Sequence, residues 1–199
     1  MVLLKDVADS PDAGLVEGFR SGDLSAFEEL VRRYKDRIYR VVYRYLGDHE
    51  DARDIAQEVF IRAYRGIHTF RGHAQVYTWL YSIASNLARN RLRDQQRKGR
   101  NRGTSLEALE TTAPGRVSAL SSNDCPRTIA QRRELDEGLR QCLDGLPDAY
   151  RMAFVLRTFD DMSYEDIAIS IGVPRGTVKS RLNQARKRLR DCLRYHHLI

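Results

Sequence analysis

Apolar positions in this chain recur every three or four residues almost from end to end, the spacing that lines one face of an α-helix. Strict alternation, the mark of a half-buried strand, is nearly absent, so the pattern predicts an all-α protein. A short helix is expected over about Asp12 to Arg20. After the Ser21-Gly-Asp-Leu-Ser25 turn, Phe27, Leu30, Val31, Tyr34, Ile38, Val41, Val42 and Tyr45 mark a longer helix, which Gly47-Asp-His49 ends. The next runs from about Glu50 to Gly66. A loop from Ile67 to Ala74 leads into a helix continuing to about Arg93.

The pattern then lapses. Arg97-Lys-Gly-Arg-Asn-Arg-Gly103 is charged and glycine-punctuated, and Thr104 to Asn123 is rich in Ser, Thr and Ala with no sustained apolar period. That composition predicts a flexible linker. Pro126 opens a helix carrying Ile129, Leu135, Leu139 and Leu143, Gly145-Leu-Pro147 breaks it, and Pro147 starts another that reaches about Phe159. The expected organisation is two small helical domains, 1–96 and 126–199, joined by a flexible linker over 97–125.

The end of the chain predicts a helix-turn-helix. Ser163 stands three residues before Asp166, a capping-box spacing. Ile167 and Ile171 share a face, Gly172 suits a left-handed helix stop, and Pro174 suits the opening of the next helix. Val178, Leu182, Ala185 and Leu189 form its inner stripe, leaving Arg175, Lys179, Ser180, Arg181, Gln184 and Arg188 outside it. Such a unit presents its second helix to the major groove. Cations at a helix N-terminus oppose the macrodipole, so Arg175 and Lys179 invite a phosphate partner.

Charge sharpens that picture. The 199 residues carry a formal net charge of +7, and Arg175–Arg194 alone holds eight basic residues against one acidic. Concentration on one helix favours a polyanion over a generally basic surface. A basic membrane-surface helix fits less well, because the apolar stripe is narrow and has no Trp or Phe anchor. No signal-like segment or membrane span is found, and a cytoplasmic location is expected.

Two further helices bear candidate binding faces. In the helix beginning near Asp51, Ala52, Ile55, Ala56, Val59, Phe60 and Ala63 complete the core stripe. Asp54, Gln57, Glu58 and Ile61 make a second face that suits either a protein contact or a solvated surface with one stray Ile; periodicity alone favours the latter. In the helix after Val76, Trp79, Leu80, Ile83, Ala84 and Leu87 point inward. Asn86 and Asn90 offer paired donors and acceptors suited to base edges, Arg89, Arg91 and Arg93 suit phosphates, and Tyr77 and Tyr81 suit stacking on unpaired bases. Solvated Asn residues and a core Trp79 are the plainer reading.

Three runs together carry a family: Asp54-Ile-Ala-Gln-Glu-Val-Phe-Ile-Arg-Ala63, Tyr77-Thr-Trp-Leu-Tyr-Ser-Ile-Ala-Ser-Asn86, and the helix-turn-helix. In this order, with a linker, they resemble the extracytoplasmic-function sigma factors, the small two-domain members of the bacterial sigma-70 family. The resemblance implies binding to core RNA polymerase, recognition of −10 and −35 promoter elements, help in opening DNA, and control by an anti-sigma partner. It assigns Asp54, Gln57, Glu58 and Ile61 to polymerase, which reverses the preference for a solvated face. It assigns Phe70, Arg71, His73, Asn86, Arg89 and Asn90 to the −10 element, with the Thr69–His73 loop helping to trap a flipped-out base. Arg175, Thr177, Lys179, Ser180, Arg181, Asn183 and Gln184 fall to the −35 element. Several relatives carry Arg in place of Gln184 and a bulkier residue in place of Asn183, so the preferred −35 sequence is this chain's own. The linker would thread toward the polymerase channels, where Arg97, Lys98, Arg100 and Arg102 either follow nucleic acid or serve as a solvated tether.

Catalytic chemistry is not expected. His49, His68, His73, His196 and His197 do not fall at metal-ligand spacing, and phosphate-cradling glycine and nucleophile-elbow motifs are missing. No cofactor, metal or small-molecule substrate is implied. Asp160-Asp161 reads as a turn acid pair, and Cys125, Cys142 and Cys192 read as buried or idle thiols. The alternative to a sigma factor is a helix-turn-helix regulator that acts without replacing sigma.

Overall fold

The computed structural model describes residues 12–102, apart from Arg71 and His73, and 126–198, with side chains left out at 69, 99–102 and 126–134. Described residues form helices and turns: α1 (Ala13–Arg20), α2 (Leu24–Leu46), α3 (His49–Gly66), a 3₁₀ turn (Ile67–Thr69), α4 (Val76–Arg102), α5 (Pro126–Asp144), α6 (Asp148–Phe159), α7 (Tyr164–Ile171) and α8 (Arg175–Tyr195). The all-α expectation holds. α4 extends well beyond Arg93, into what the composition predicted as linker; residues 103–125 lie outside the described set.

Capping explains most boundaries. Asp23 and Asp48 accept from the N–H groups of Ser25 and Asp51 to start α2 and α3. Gly47 ends α2 at φ 76°, a left-handed conformation costly for any residue with a Cβ. Ser163 caps α7 through the N–H of Asp166, and Gly172 closes it at φ 68°. The reciprocal half of the capping box is used differently: the Asp166 carboxylate accepts from the Ser163 hydroxyl at 2.6 Å and also reaches across to α4.

In the first half of the chain, α2, α3 and α4 pack around Ile38, Val41, Val42, Tyr45, Ala52, Val59, Ala63 and Leu80, all nearly inaccessible, and α1 covers one end. In the second half, α6, α7 and α8 enclose Val155, Leu156, Ile167, Val178 and Leu182. The two small helical halves also pack against each other. One apolar cluster runs continuously through both, with α7 seated on α4 and α6 on α2.

Polar contacts fix this closed arrangement. Tyr77 and Thr78 donate their hydroxyls to Asp166 at 2.7 and 2.9 Å, and Ser170 donates to the Thr78 carbonyl at 3.1 Å. Arg37 pairs with Asp160 at 2.9 Å. Arg151 is buried and donates to the Tyr45 carbonyl in the last turn of α2, to the Asp144 carbonyl at the end of α5 and to the Leu146 carbonyl beyond it. Asp160 lies in the turn before α7 as expected, and its side chain is 5% exposed and meets α2. Leu135 of α5 is half exposed, while Leu143 is buried. Cys142 and Cys192 are not idle thiols but form a disulfide between α5 and α8, Cα–Cα 5.7 Å.

Candidate protein-docking and nucleic-acid surfaces

The second face of α3 divides between two grooves. Gln57 and Ile61 lie one turn apart and line a groove of about 640 Å³ between α2 and α3, walled by Phe27, Val31, Phe60 and Tyr64. Phe19, Phe27 and Tyr64 form an aromatic cluster at this groove, with centroids 5.0 to 5.2 Å apart. Ile61 is 37% and Tyr64 48% exposed, so the wall is apolar and open to solvent. Asp54 and Glu58 line the opposite groove, between α3 and α4, which they share with Asn90, Arg91 and Asp94. Glu58 is held by Arg62 at 2.7 Å. An apolar trough rimmed by Gln57, Lys35 and Arg65 is the makeup of a protein contact, an apolar centre with a polar rim.

Of the residues on α4, Asn86 and Asn90 are exposed one turn apart, Arg93 follows on the same side, and Arg89 is half-buried. Arg91 departs from expectation. It pairs with Asp51, which also accepts from Gln95, so its guanidinium braces α3 against α4 instead of facing a phosphate. Phe70 is also turned inward. It packs on Trp79 with centroids 5.3 Å apart and is 9% exposed, while its carbonyl accepts from Arg20. In this conformation Phe70 anchors the loop and offers no open face to a base. Arg71 and His73 fall outside the described residues.

The tyrosines expected to stack are sheltered too. Tyr81 is fully buried, and burial, followed by the nearby Asp160 carboxylate, pushes its phenol well above the ordinary range. Tyr77 is pushed up to about 12 by burial first and then by its bond to Asp166. The cause is the closed arrangement: Thr78, Tyr81 and Ser85 form the side of α4 that lies under the second half of the chain. Asn86, Asn90 and Arg93 stand roughly a third of a turn around the helix from that side and stay open.

On α8 the inner stripe is buried as expected, and Arg175, Lys179, Ser180, Asn183 and Gln184 form one exposed strip. Thr177 and Arg181 flank it, each partly covered. Ser180 donates to the Thr177 carbonyl at 2.9 Å. Arg175 has a protein partner after all, Glu165 of α7 at 2.8 Å, with both side chains more than half exposed. Such an exposed pair contributes only about 0–1 kcal/mol, so a phosphate can displace it.

Neither Asp166 nor Arg151 stands out in the sequence as anything but a cap and a surface cation. The only signal for the first was its place as a capping acid. Among the described residues no helix is long and apolar enough to cross a membrane.

Comparison with known proteins agrees with this layout. The family model for sigma-70 region 2 matches residues 30–98, and that for sigma-70 region 4 matches 136–189. The RNA polymerase sigma-H factor of Pseudomonas aeruginosa is 38% identical over 182 residues, 92% of this chain and 93% of its own. The ECF RNA polymerase sigma-E factor of Escherichia coli is 39% identical over 176 residues, 88% and 91% respectively. Among solved structures, CnrH in complex with the cytosolic domain of CnrY matches with a TM-score of 0.65 at 20% identity, covering 92% of this chain and 97% of that one. The sigma factor RpoE of Bartonella quintana, solved with the anti-sigma factor NepR, matches with a TM-score of 0.64 at 22% identity, covering 86% and 98%. These two likenesses establish the fold.

Proposed function

The chain belongs to the extracytoplasmic-function sigma factors of the sigma-70 family, and from that membership we infer how its surfaces divide the work of starting transcription. The open apolar trough between α2 and α3, with Gln57 and Ile61 on its wall, docks on core RNA polymerase; Asp54 and Glu58 extend the contact across α3. Asn86, Arg89 and Asn90 read the −10 element, with the loop of Arg71 and His73, anchored by the buried Phe70, receiving a flipped-out base. The α8 strip reads the −35 element in duplex DNA: Arg175, Lys179 and Arg181 neutralise phosphates or take guanine edges, and Asn183 and Gln184 suit adenine. Thr177 and Ser180 complete that strip. The protein acts beside polymerase in the cytoplasm and contributes recognition, while bond-making belongs to polymerase.

The observation that carries this reading is the pairing, on one chain, of a solvent-open apolar trough with a DNA-suited helix strip. A regulator that binds DNA without polymerase has no use for the trough. The closed arrangement adds a condition. Elements named for positions −10 and −35 lie about 25 base pairs apart, ~85 Å of duplex at about 3.4 Å per pair. Two halves joined at 2.7 Å through Tyr77 and Asp166 do not span that length. The halves therefore separate on polymerase, and residues 103–125 reach up to about 80 Å if fully extended. Two structural neighbours were solved with partner proteins, one of them named an anti-sigma factor. An anti-sigma partner suits the closed state, since it need only preserve contacts already made.

The test is reconstitution. Purified protein added to core polymerase is expected to co-elute with it and to start run-off transcripts from a subset of a promoter library. Failure to bind core, together with no transcripts, would overturn the assignment.

A further inference from the structure

We propose that Cys142 and Cys192 are a peroxide-operated thiol pair whose closure fastens α5 to the C-terminal half of α8. Three observations meet at this place. The two residues are fifty apart in sequence, yet helix packing brings their Cα atoms to 5.7 Å, within disulfide range. Cys142 is buried while Cys192 is partly exposed, so one sulfur is reachable by a small oxidant and the other is held behind it. The ring of exposed His196 has a nitrogen within 4.8 Å of both sulfurs, close enough to take up a thiol proton during the reaction.

The chemistry balances with hydrogen peroxide as the oxidant. The Cys192 sulfur, its proton passed to His196, attacks a peroxide oxygen; an S–O bond forms, the O–O bond breaks and hydroxide leaves as water. The resulting sulfenic acid is attacked by the Cys142 sulfur; the S–S bond forms, the S–O bond breaks and a second water leaves. Two thiols and one peroxide give one disulfide and two waters. A dithiol reductant reverses the step by exchange.

The surroundings decide what closure does. Among the described residues, the buried members of the cluster at this end of the second half are Cys142, Leu143, Leu146, Ala185 and Leu189, a small core to hold a helix. Gly138 gives Leu198 room to lie against α5, where a Cβ would collide with it, so the packing continues beyond the end of α8. A cross-link here restricts the unfolded chain over fifty residues and adds cohesion where the core is thinnest. It does so away from recognition: Cys192 lies thirteen residues, ~20 Å of helix, beyond Lys179. Oxidation therefore makes this half of the protein more durable without altering the surface offered to DNA.

The full chain, reduced and then treated with limiting hydrogen peroxide, is expected to fall from three free thiols to one. Peptide mapping should join Cys142 to Cys192 and leave Cys125 free. The Tm should rise by about 5–15 °C, as expected for closing a fifty-residue loop in a protein of this size. Dithiothreitol should undo the rise, and Cys192→Ser should abolish it. His196→Gln should slow disulfide formation several-fold and leave the final Tm unchanged. Promoter-DNA affinity of the oxidised and reduced forms should agree within about twofold. The proposal is overturned if all three thiols survive peroxide, if Cys125 is the partner joined, if Tm does not move, or if the reduced protein holds one zinc per chain on these ligands and resists oxidation.

Discussion

Replacing Asp166 with alanine removes the acceptor shared by Tyr77 and Thr78 and should open the protein. In the closed state Thr78 is fully buried, so losing its 2.9 Å bond leaves a hydroxyl without water, at a cost of about 1–3 kcal/mol. Tyr77 is only half-buried and recovers part of its 2.7 Å bond from solvent, leaving about 0.5–1.5 kcal/mol. The acid also favours the α7 N-terminus by about 0.3–1 kcal/mol, but this is lost equally from the open and closed states and drops out of their ratio. Ser163 still accepts the backbone N–H at position 166, so α7 keeps its cap. The net bias is about 2–4 kcal/mol toward separation, a shift of roughly 30- to 1000-fold. Small-angle scattering reads it directly, because a compact chain of this length has a radius of gyration of about 16 Å and separated halves have a larger one. Core polymerase affinity reads it independently, since a protein spared the opening step binds more tightly up to the point where the open form dominates. Asp166→Asn, which keeps one acceptor oxygen, should fall between. If Asp166→Ala lowers Tm but leaves both the radius and the affinity unchanged, the closed arrangement is not an obstacle to polymerase binding, and the argument fails.

Other outcomes follow from the same contacts. Ile61→Asp with Gln57→Ala should weaken core binding by tenfold or more, with Tm changed by no more than ~2 °C, because neither side chain belongs to the buried stripe; unchanged affinity in a pull-down titration would remove the trough from the mechanism. Arg37→Ala should destabilise by about 2–3 kcal/mol in urea melts and more than Asp160→Asn, because it strands a buried carboxylate where the Asn variant strands a partly exposed cation; the opposite order would show the pair to be incidental. The phenols of Tyr45 and Tyr77 are both pushed up to about 12, chiefly by burial, so the folded state keeps protons that the unfolded chain gives up near pH 10. Stability from these groups is complete below pH 10 and is lost as pH rises toward 12. Alkaline melts should show this fall, and Tyr77→Phe should flatten it; an unchanged slope in that variant would remove Tyr77 as a contributor.

Much of this protein is written in short-range sequence. Periodicity of three and four, with Asp23, Asp48, Ser163, Gly47 and Gly172 as punctuation, specifies the helices, because the backbone hydrogen bonds and the caps that end them are local. The basic strip of α8 was equally legible, since one buried stripe at fixed spacing leaves only one face for Arg175, Lys179, Asn183 and Gln184. Tertiary packing alone decided the rest. It divided the α3 face between two grooves, turned Phe70 and Tyr81 inward, gave Arg91 to Asp51, and joined Cys142 to Cys192 across fifty residues. It also closed the two halves on each other through Asp166, Asp160 and Arg151. These side chains resemble any surface charge in the sequence, because their partners lie 89, 123 and 106 residues away. Local spacing fixes which way a residue faces on its own helix, but only the packing of helices decides whether that face meets water, DNA or the rest of the chain.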